Sequence, residues 1–115
     1  LEQALGMDAA SASKAGWRGS NEGLKMKIDG GKGWSLYADL WPTNESGFTA
    51  LAGSCRLPDG TYGNPGLFAT GFWWTSTADD QNSEAWFRYL DYKNPNVYRS
   101  HTYKGYGFSI RCVKD

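Results

Sequence analysis

Apolar and polar positions alternate most cleanly toward the C-terminus. Across 85–92, Trp86, Arg88, Leu90 and Tyr92 fall on one side of an extended chain, and Ala85, Phe87, Tyr89 and Asp91 on the other. A period of two marks a strand. Lys93-Asn94-Pro95-Asn96 carries turn-forming residues, and Val97-Tyr98-Arg99 begins a return strand. Upstream, Phe72-Trp73-Trp74-Thr75-Ser76-Thr77 predicts another strand, with its two tryptophans on opposite faces and at least one of them in the core. Downstream of Gly105 and Gly107, Phe108, Ile110 and Cys112 alternate with Ser109, Arg111 and Val113, the pattern of a last strand. These segments predict an antiparallel meander in the second half of the chain.

The first half reads differently. Leu1, Ala4 and Leu5 fit one helical face, which Gly6 ends, and Asp8 is placed to cap a second short helix through Ala9, Ala10 and Ala12. The helical pattern starts at Leu1 with no cap ahead of it, which predicts a preceding N-terminal piece. Gly16, Gly19, Gly23, Gly30, Gly31, Gly33 and Gly47 then crowd one stretch and disfavour long regular elements. Within it, Leu24, Met26 and Ile28 alternate with Lys25, Lys27 and Asp29, a short strand signal. Trp17, Trp34 and Trp41 are expected to anchor these loops, each ring needing a home for one N–H. Ser54–Leu57 predicts a strand before a turn at Pro58-Asp59-Gly60, and Asn64-Pro65-Gly66 predicts a second turn.

Composition narrows the class. A chain of 115 residues is expected to form one domain, 1–115. Its pattern is that of an α+β fold, with short N-terminal helices, long Gly-rich loops and a twisted antiparallel sheet in the C-terminal half. Twelve Lys+Arg balance twelve Asp+Glu, which leaves no electrostatic footprint for a phosphate backbone and argues against a nucleic-acid partner. No apolar run is long enough for membrane insertion. Aromatic residues make up 16% of the chain, and there are 15 glycines. Large rings and tight turns can build a core, or present a contact surface where the rings face outward.

Candidate chemistry is sparse. The single histidine, His101, and two distant cysteines, Cys55 and Cys112, do not show zinc-ligand spacing. A Cys–His nucleophilic pair is formally open to them, but His101 sits in a Tyr/Ser/Asn/Lys-rich stretch that reads as solvated, which argues against it. No catalytic residue, resident metal or cofactor is therefore expected, and the chain does not read as an enzyme. The two cysteines have two readings. One is a disulfide, contributing about 3–4 kcal/mol if unstrained; the other is two separate buried thiols. Arg88, Arg99 and Arg111 are expected to pair with a carboxylate or lie over a ring. Glu22 and Glu45 sit in Asn-Glu-Gly and Asn-Glu-Ser-Gly loops, where a carboxylate organises backbone N–H groups. Asn94-Pro95-Asn96 lacks the carboxylates a calcium-binding turn would need.

One stretch has the residue alphabet of binding loops, rigid amphipathic rings among adaptable amides and hydroxyls. Phe87, Tyr89, Asp91, Tyr92, Asn94, Asn96, Tyr98, Ser100, His101 and Tyr103 lie between apolar framework positions. They are the candidate ligand-binding residues, recognising a protein or glycan by stacking and amide hydrogen bonds without a metal. The alternative is a half-exposed sheet whose tyrosines serve strand formation alone.

Ordered motifs carry a resemblance that covers essentially the whole chain. They are Trp17-Arg18-Gly19-Ser20-Asn21-Glu22-Gly23-Leu24-Lys25, Thr43-Asn44-Glu45-Ser46-Gly47-Phe48-Thr49-Ala50-Leu51, Gly71-Phe72-Trp73-Trp74-Thr75-Ser76-Thr77, Ala85-Trp86-Phe87-Arg88-Tyr89-Leu90 and Gly107-Phe108-Ser109-Ile110-Arg111-Cys112-Val113. Together they resemble the Fibrobacter succinogenes major paralogous domain, seen in surface proteins and lipoproteins of gut bacteria. The resemblance implies a C-type-lectin-like fold related to the formylglycine-generating-enzyme type, with core packing for both Trp73 and Trp74. It also implies an extracellular or cell-surface location and either an adhesin-like binding role or a structural accessory role. Some proteins of this fold are diversified by retroelements that mutate adenines, and a C-terminal segment rich in Tyr, Asn, Asp, Ser and His is compatible with that origin. The enzymatic branch uses two suitably placed cysteines, whereas Cys55 and Cys112 look like strand residues. Two departures follow from the comparison. The family's usual further N-terminal strand, with its Cys-Pro-x-Gly-Trp-like segment, is not in this sequence, so a separate segment or chain is expected to complete the sheet. Cys55 stands where an aromatic is expected, and Cys112 then pairs with Cys55 or stays free.

Overall fold

A computed structural model describes residues 1–63, 68–79 and 81–114. The turn expected at Asn64-Pro65-Gly66 lies outside the described residues. The start of the chain folds as its local signals dictate. A single 3-10 turn, Gln3–Leu5, ends at Gly6, whose φ of 114° is the left-handed conformation glycine tolerates best. Helix α1, Ala9–Ser13, is capped by the Asp8 side chain, which accepts from Ser11 N at 2.8 Å.

A four-stranded antiparallel sheet, in the order β1-β6-β5-β4, forms the frame. β4 spans Thr70–Asp79, β5 Glu84–Asp91 and β6 Val97–Tyr103, the meander predicted from alternation. The fourth strand is not the C-terminal one. It is β1, Gly16–Arg18, which pairs with β6 through Gly16↔Arg99, Trp17↔Tyr98 and Arg18↔Val97. Residues 107–114 instead run as an extended edge. Ser109 N donates to Phe72 O at 3.0 Å and Trp74 N donates to Ser109 O at 3.1 Å, then the chain leaves the sheet with Ile110 79% exposed. A register shift in β4 between Trp74 and Ala78 interrupts the edge there. A separate two-stranded hairpin joins β2, Cys55–Arg56, to β3, Tyr62–Gly63. Its turn is held by Asp59, which accepts from Thr61 N at 2.9 Å.

One sheet face meets the core. Leu90 and Val97 are fully buried, and Trp73 joins Met26, Trp34, Phe48 and Ala50 against them. Among the three tryptophans expected to anchor the loops, only Trp34 does so, with Nε1 donating to Ala50 O at 2.8 Å. Trp17 and Trp41 are exposed. Trp17 sits at an odd position of an edge strand, facing away from the core. The tryptophan pair in β4 divides likewise: Trp73 is buried and Trp74 half-buried on the other face.

The strand signal at Leu24–Ile28 gives way to a helix. α2 spans Glu22–Met26, and extended pairing survives only at Lys27, bridged in parallel to Ala50. The Glu22 carboxylate decides this locally by accepting from Ser20 N at 2.7 Å and Asn21 N at 3.1 Å, which organises the helix start. In the helix Glu22 and Met26 are one turn apart and both buried. In the other glutamate loop the organiser is Asn44, accepting from Thr49 N at 2.7 Å and donating to Thr49 Oγ1 at 3.1 Å, while Glu45 is exposed.

Helix α2 also seats the β5–β6 turn. Leu24 N donates to Pro95 O at 3.2 Å, and a Cβ on Gly23 would lie 2.3 Å from Asn96 O and 2.7 Å from Pro95 O. Both are backbone atoms, so the turn itself would have to move. Gly23→Ala should therefore cost about 1–3 kcal/mol, measurable as a lowered urea midpoint at unchanged slope. An unchanged midpoint would mean the helix and turn separate freely.

Candidate functional site

Alternation along β5 and β6 settles where each candidate residue goes. Phe87, Tyr89, Asp91, Tyr98 and Ser100 lie on the sheet face away from the core, with Phe87 opposite Ser100 and Tyr89 opposite Tyr98. His101 and Tyr103 lie on the opposite face, one residue out of phase. Tyr92, Asn94 and Asn96 belong to the turn. The ten residues thus do not form one surface. Five make the outer face, three the turn at its end, and two the far side.

The outer face is a continuous layer of rings. Trp17 of β1 packs against Tyr98 at 5.3 Å and Tyr89 at 5.4 Å between centroids. Tyr89 stacks on Phe72 at 4.7 Å and 19°. Phe72 stacks on Phe108 at 5.1 Å, and Phe108 meets Trp74 at 4.4 Å and Phe87 at 5.1 Å. Every ring of this layer is half-buried or exposed. Reading residues 87–103 alone missed Trp17, Phe72, Trp74 and Phe108. Phe72 and Trp74 carried a usable signal, being two apart in a strand; Trp17 and Phe108 did not, because their neighbours come from distant segments.

Polar groups edge the layer at its turn end. Tyr89 Oη donates to Asp91 Oδ2 at 2.6 Å. Burial, and then this bond and the Asp91 charge, hold the phenol strongly protonated, with its pKa raised. The other Asp91 oxygen accepts from Lys93 N at 2.7 Å, and Asn94 Oδ1 accepts from Asn96 N at 2.9 Å. Tyr92 meets Tyr37 edge-on at 6.0 Å, with Lys93 Nζ 5.3 Å from the Tyr92 centroid. Below the turn, buried Lys27 donates to Asp91 O at 2.6 Å and Asn94 O at 3.0 Å. Asn94 and Asn96 therefore shape the turn through their own backbone contacts.

The three arginines find the kinds of partner expected of them, although Arg111 lies outside the sheet. Arg88 pairs with Glu2, Arg99 lies 3.6 Å over the Trp86 ring, and Arg111 lies 5.5 Å from the Phe48 centroid. Arg18, not singled out from the sequence, is the buried member: its guanidinium holds both Glu2 oxygens at 2.9 Å. The disulfide reading is corrected. Both cysteines are free, Cys55 buried in the small hairpin and Cys112 exposed on the C-terminal stretch. The reading of two buried thiols holds for Cys55 alone. A shallow cleft of ≈ 260 Å³, lined by Leu1, Phe48, Arg111 and Cys112 among others, lies beside that stretch. No helix among the described residues is long and apolar enough to cross a membrane.

The protein is thus a small α+β domain built on an antiparallel sheet, with few short helices and one aromatic outer face. It belongs to the Fibrobacter succinogenes major domain family, whose model matches residues 1–114. No curated protein and no solved structure matches the chain.

Proposed function

We propose that this domain is a non-enzymatic ligand-binding module that takes a protein or glycan on the outer face of its sheet. The observation that carries this reading is the layer of accessible rings, Trp17, Phe72, Tyr89 and Tyr98, bordered by the carboxylate and amides of the 91–96 turn. Such rings offer flat apolar area at small entropic cost, and a polar rim supplies direction. A C-type-lectin-like fold, display on a bacterial surface or secretion, and an adhesin-like role belong to the same proposal, supported by the family and by the long loops beside a small sheet. A separate segment or chain completing the sheet is proposed for the extended C-terminal stretch, supported by its exposed Ile110 and Val113. Retroelement diversification is the sharpest form of the proposal. Adenine-rich codons at the outer-face and turn positions would support it, and their absence would remove it.

A competing structural role is favoured by one observation: the rings largely satisfy one another by stacking. Screening glycan and protein arrays with the domain and with a Trp17→Ser, Tyr98→Ser variant separates the two. A binding module shows a selective signal that falls about tenfold or more in the variant, with little change in melting temperature. A domain that binds nothing, and whose variant mainly loses stability, is a structural element instead.

A further inference from the structure

The two candidate residues that face away from the aromatic layer lie beside a different cluster. At the turn end of the β4–β5 hairpin, Asp79 pairs with Glu84 across the strands, and Glu84 is diagonal to His101 on β6. One oxygen of each carboxylate and one imidazole nitrogen of His101 all lie within 4.8 Å of one another. Glu84 Oε2 and His101 Nδ1 are in direct contact. We propose that Asp79, Glu84 and His101 form a binding site for a divalent transition ion of the zinc class, with the remaining coordination positions open.

Three physical points carry this. The first is reach. Ligand atoms around a tetrahedral zinc sit about 3.3 Å apart, so a side-chain adjustment of about 1.5 Å closes the widest gap, and all three side chains are accessible enough to make it. The second is support behind the ligands. Asn82 Nδ2 donates to Asp79 Oδ2 at 2.9 Å, and Asn82 N donates to Asp79 O at 3.3 Å. The His101 ring packs on Trp86 at 4.8 Å, and the Arg99 guanidinium lies 3.6 Å from the centroid of the same Trp86 ring. Two of the three ligands are therefore held by partners of their own, as in metal sites generally. The third is chemistry. Two carboxylates match a divalent charge, and the imidazole selects an ion that accepts nitrogen, against calcium and magnesium, which prefer oxygen throughout. The ion takes the place of the proton between Glu84 and His101 and leaves the other ring proton on Nε2. Carboxylate–imidazole pairs at 44% and 30% side-chain exposure gain little as ion pairs alone, so an ion adds what the bare cluster lacks.

His101 is the sole histidine, so its ring signals in a proton NMR spectrum report the site directly. The test is a Zn²⁺ titration of the Cys112→Ser protein, which removes the exposed thiol as a competing ligand. The His101 signals should move, and calorimetry should give one ion per chain. Binding should weaken about tenfold or more in His101→Gln and in Asp79→Asn, with Ca²⁺ and Mg²⁺ failing to displace zinc. Unmoved ring signals, or equal affinity in the His101→Gln and Asp79→Asn proteins, would overturn the site. Because the cluster lies on the face opposite the aromatic layer, this result is independent of whether that layer binds a ligand.

Discussion

Glu2→Gln should remove about 3–5 kcal/mol of stability, a large share of what a domain of this size possesses. Glu2 is buried near the start of the chain, and its one carboxylate is shared between two guanidinium groups from the sheet. Arg18 of β1 grips it with two parallel hydrogen bonds of 2.9 Å, and Arg88 of β5 reaches the same Oε1. Arg18 is 4% exposed, its Nη1 also donates to Ala12 O at 3.0 Å, and its Nε has no partner among the described residues. The glutamine would leave that buried cation without a countercharge. Arg88 is less affected, because its side chain reaches solvent. Replacing the pair together, as Glu2→Leu with Arg18→Met, should recover most of the loss, since a buried ion pair exchanged whole for apolar groups is often neutral. Urea unfolding of the three proteins checks this. A Glu2→Gln protein within about 1 kcal/mol of the parent would show that the charge network does not hold the N-terminal segment.

The same network sets an acid limb. Burial pushes the Glu2 carboxyl up, but the Arg18 hydrogen bond and the two guanidinium charges outweigh it, so its pKa falls below the ordinary 4.5. A depressed carboxylate pKa means the folded state binds fewer protons than the unfolded one. Its contribution is full above 4.5 and is lost as pH drops through the lower folded value. The Glu2→Gln protein should lack that part of the acid unfolding.

Lys27→Met should change how stability responds to alkaline pH. The Lys27 ammonium is buried among Trp34 and the carbonyls of Asp91 and Asn94. Desolvation lowers its pKa from 10.5 to about 8, with the Asp91 charge opposing. Between those values the unfolded chain holds a proton that the folded chain has released, so the folded state gains stability as pH rises across that window. The full difference is about 3 kcal/mol, and the methionine variant should not show it. Tyr89 has the opposite sign, because its raised pKa withdraws stability above pH 10. It is present in both proteins and cancels in the comparison. Parallel stability curves from pH 7.5 to 10 would sink this account of Lys27. At neutral pH, loss of the two carbonyl bonds should also speed amide exchange in the 91–96 turn, the polar border of the aromatic face.

How far such groups can be foreseen depends on sequence distance. Glu2 and Arg88 are 86 residues apart, and no spacing rule links them. Lys27 read as an outward position of a short strand. It is buried because the Glu22 carboxylate starts a helix just before it, which turns the chain inward. The cluster of Asp79, Glu84 and His101 needs the hairpin register and the return strand at once. In each case the partner is chosen by how elements pack, which local pattern does not contain.

What local pattern does contain is considerable. Alternation placed β5, the start of β6 and most of β4, because a period of two is a property of the strand itself. Asp8 and Gly6 marked their helix ends through their own side chain and backbone. The tyrosines, asparagines and turn residues marked the C-terminal third as the part with contact chemistry. Only tertiary structure decided which face of the sheet the core covers, that β1 rather than residues 107–114 is the fourth strand, and that the ten candidate residues divide among an outer face, a turn and a far side. The reason is one of range. Alternation assigns neighbours to opposite sides, but burial of Leu90, Val97 and Trp73 under loops from the first half of the chain selects which side becomes interior.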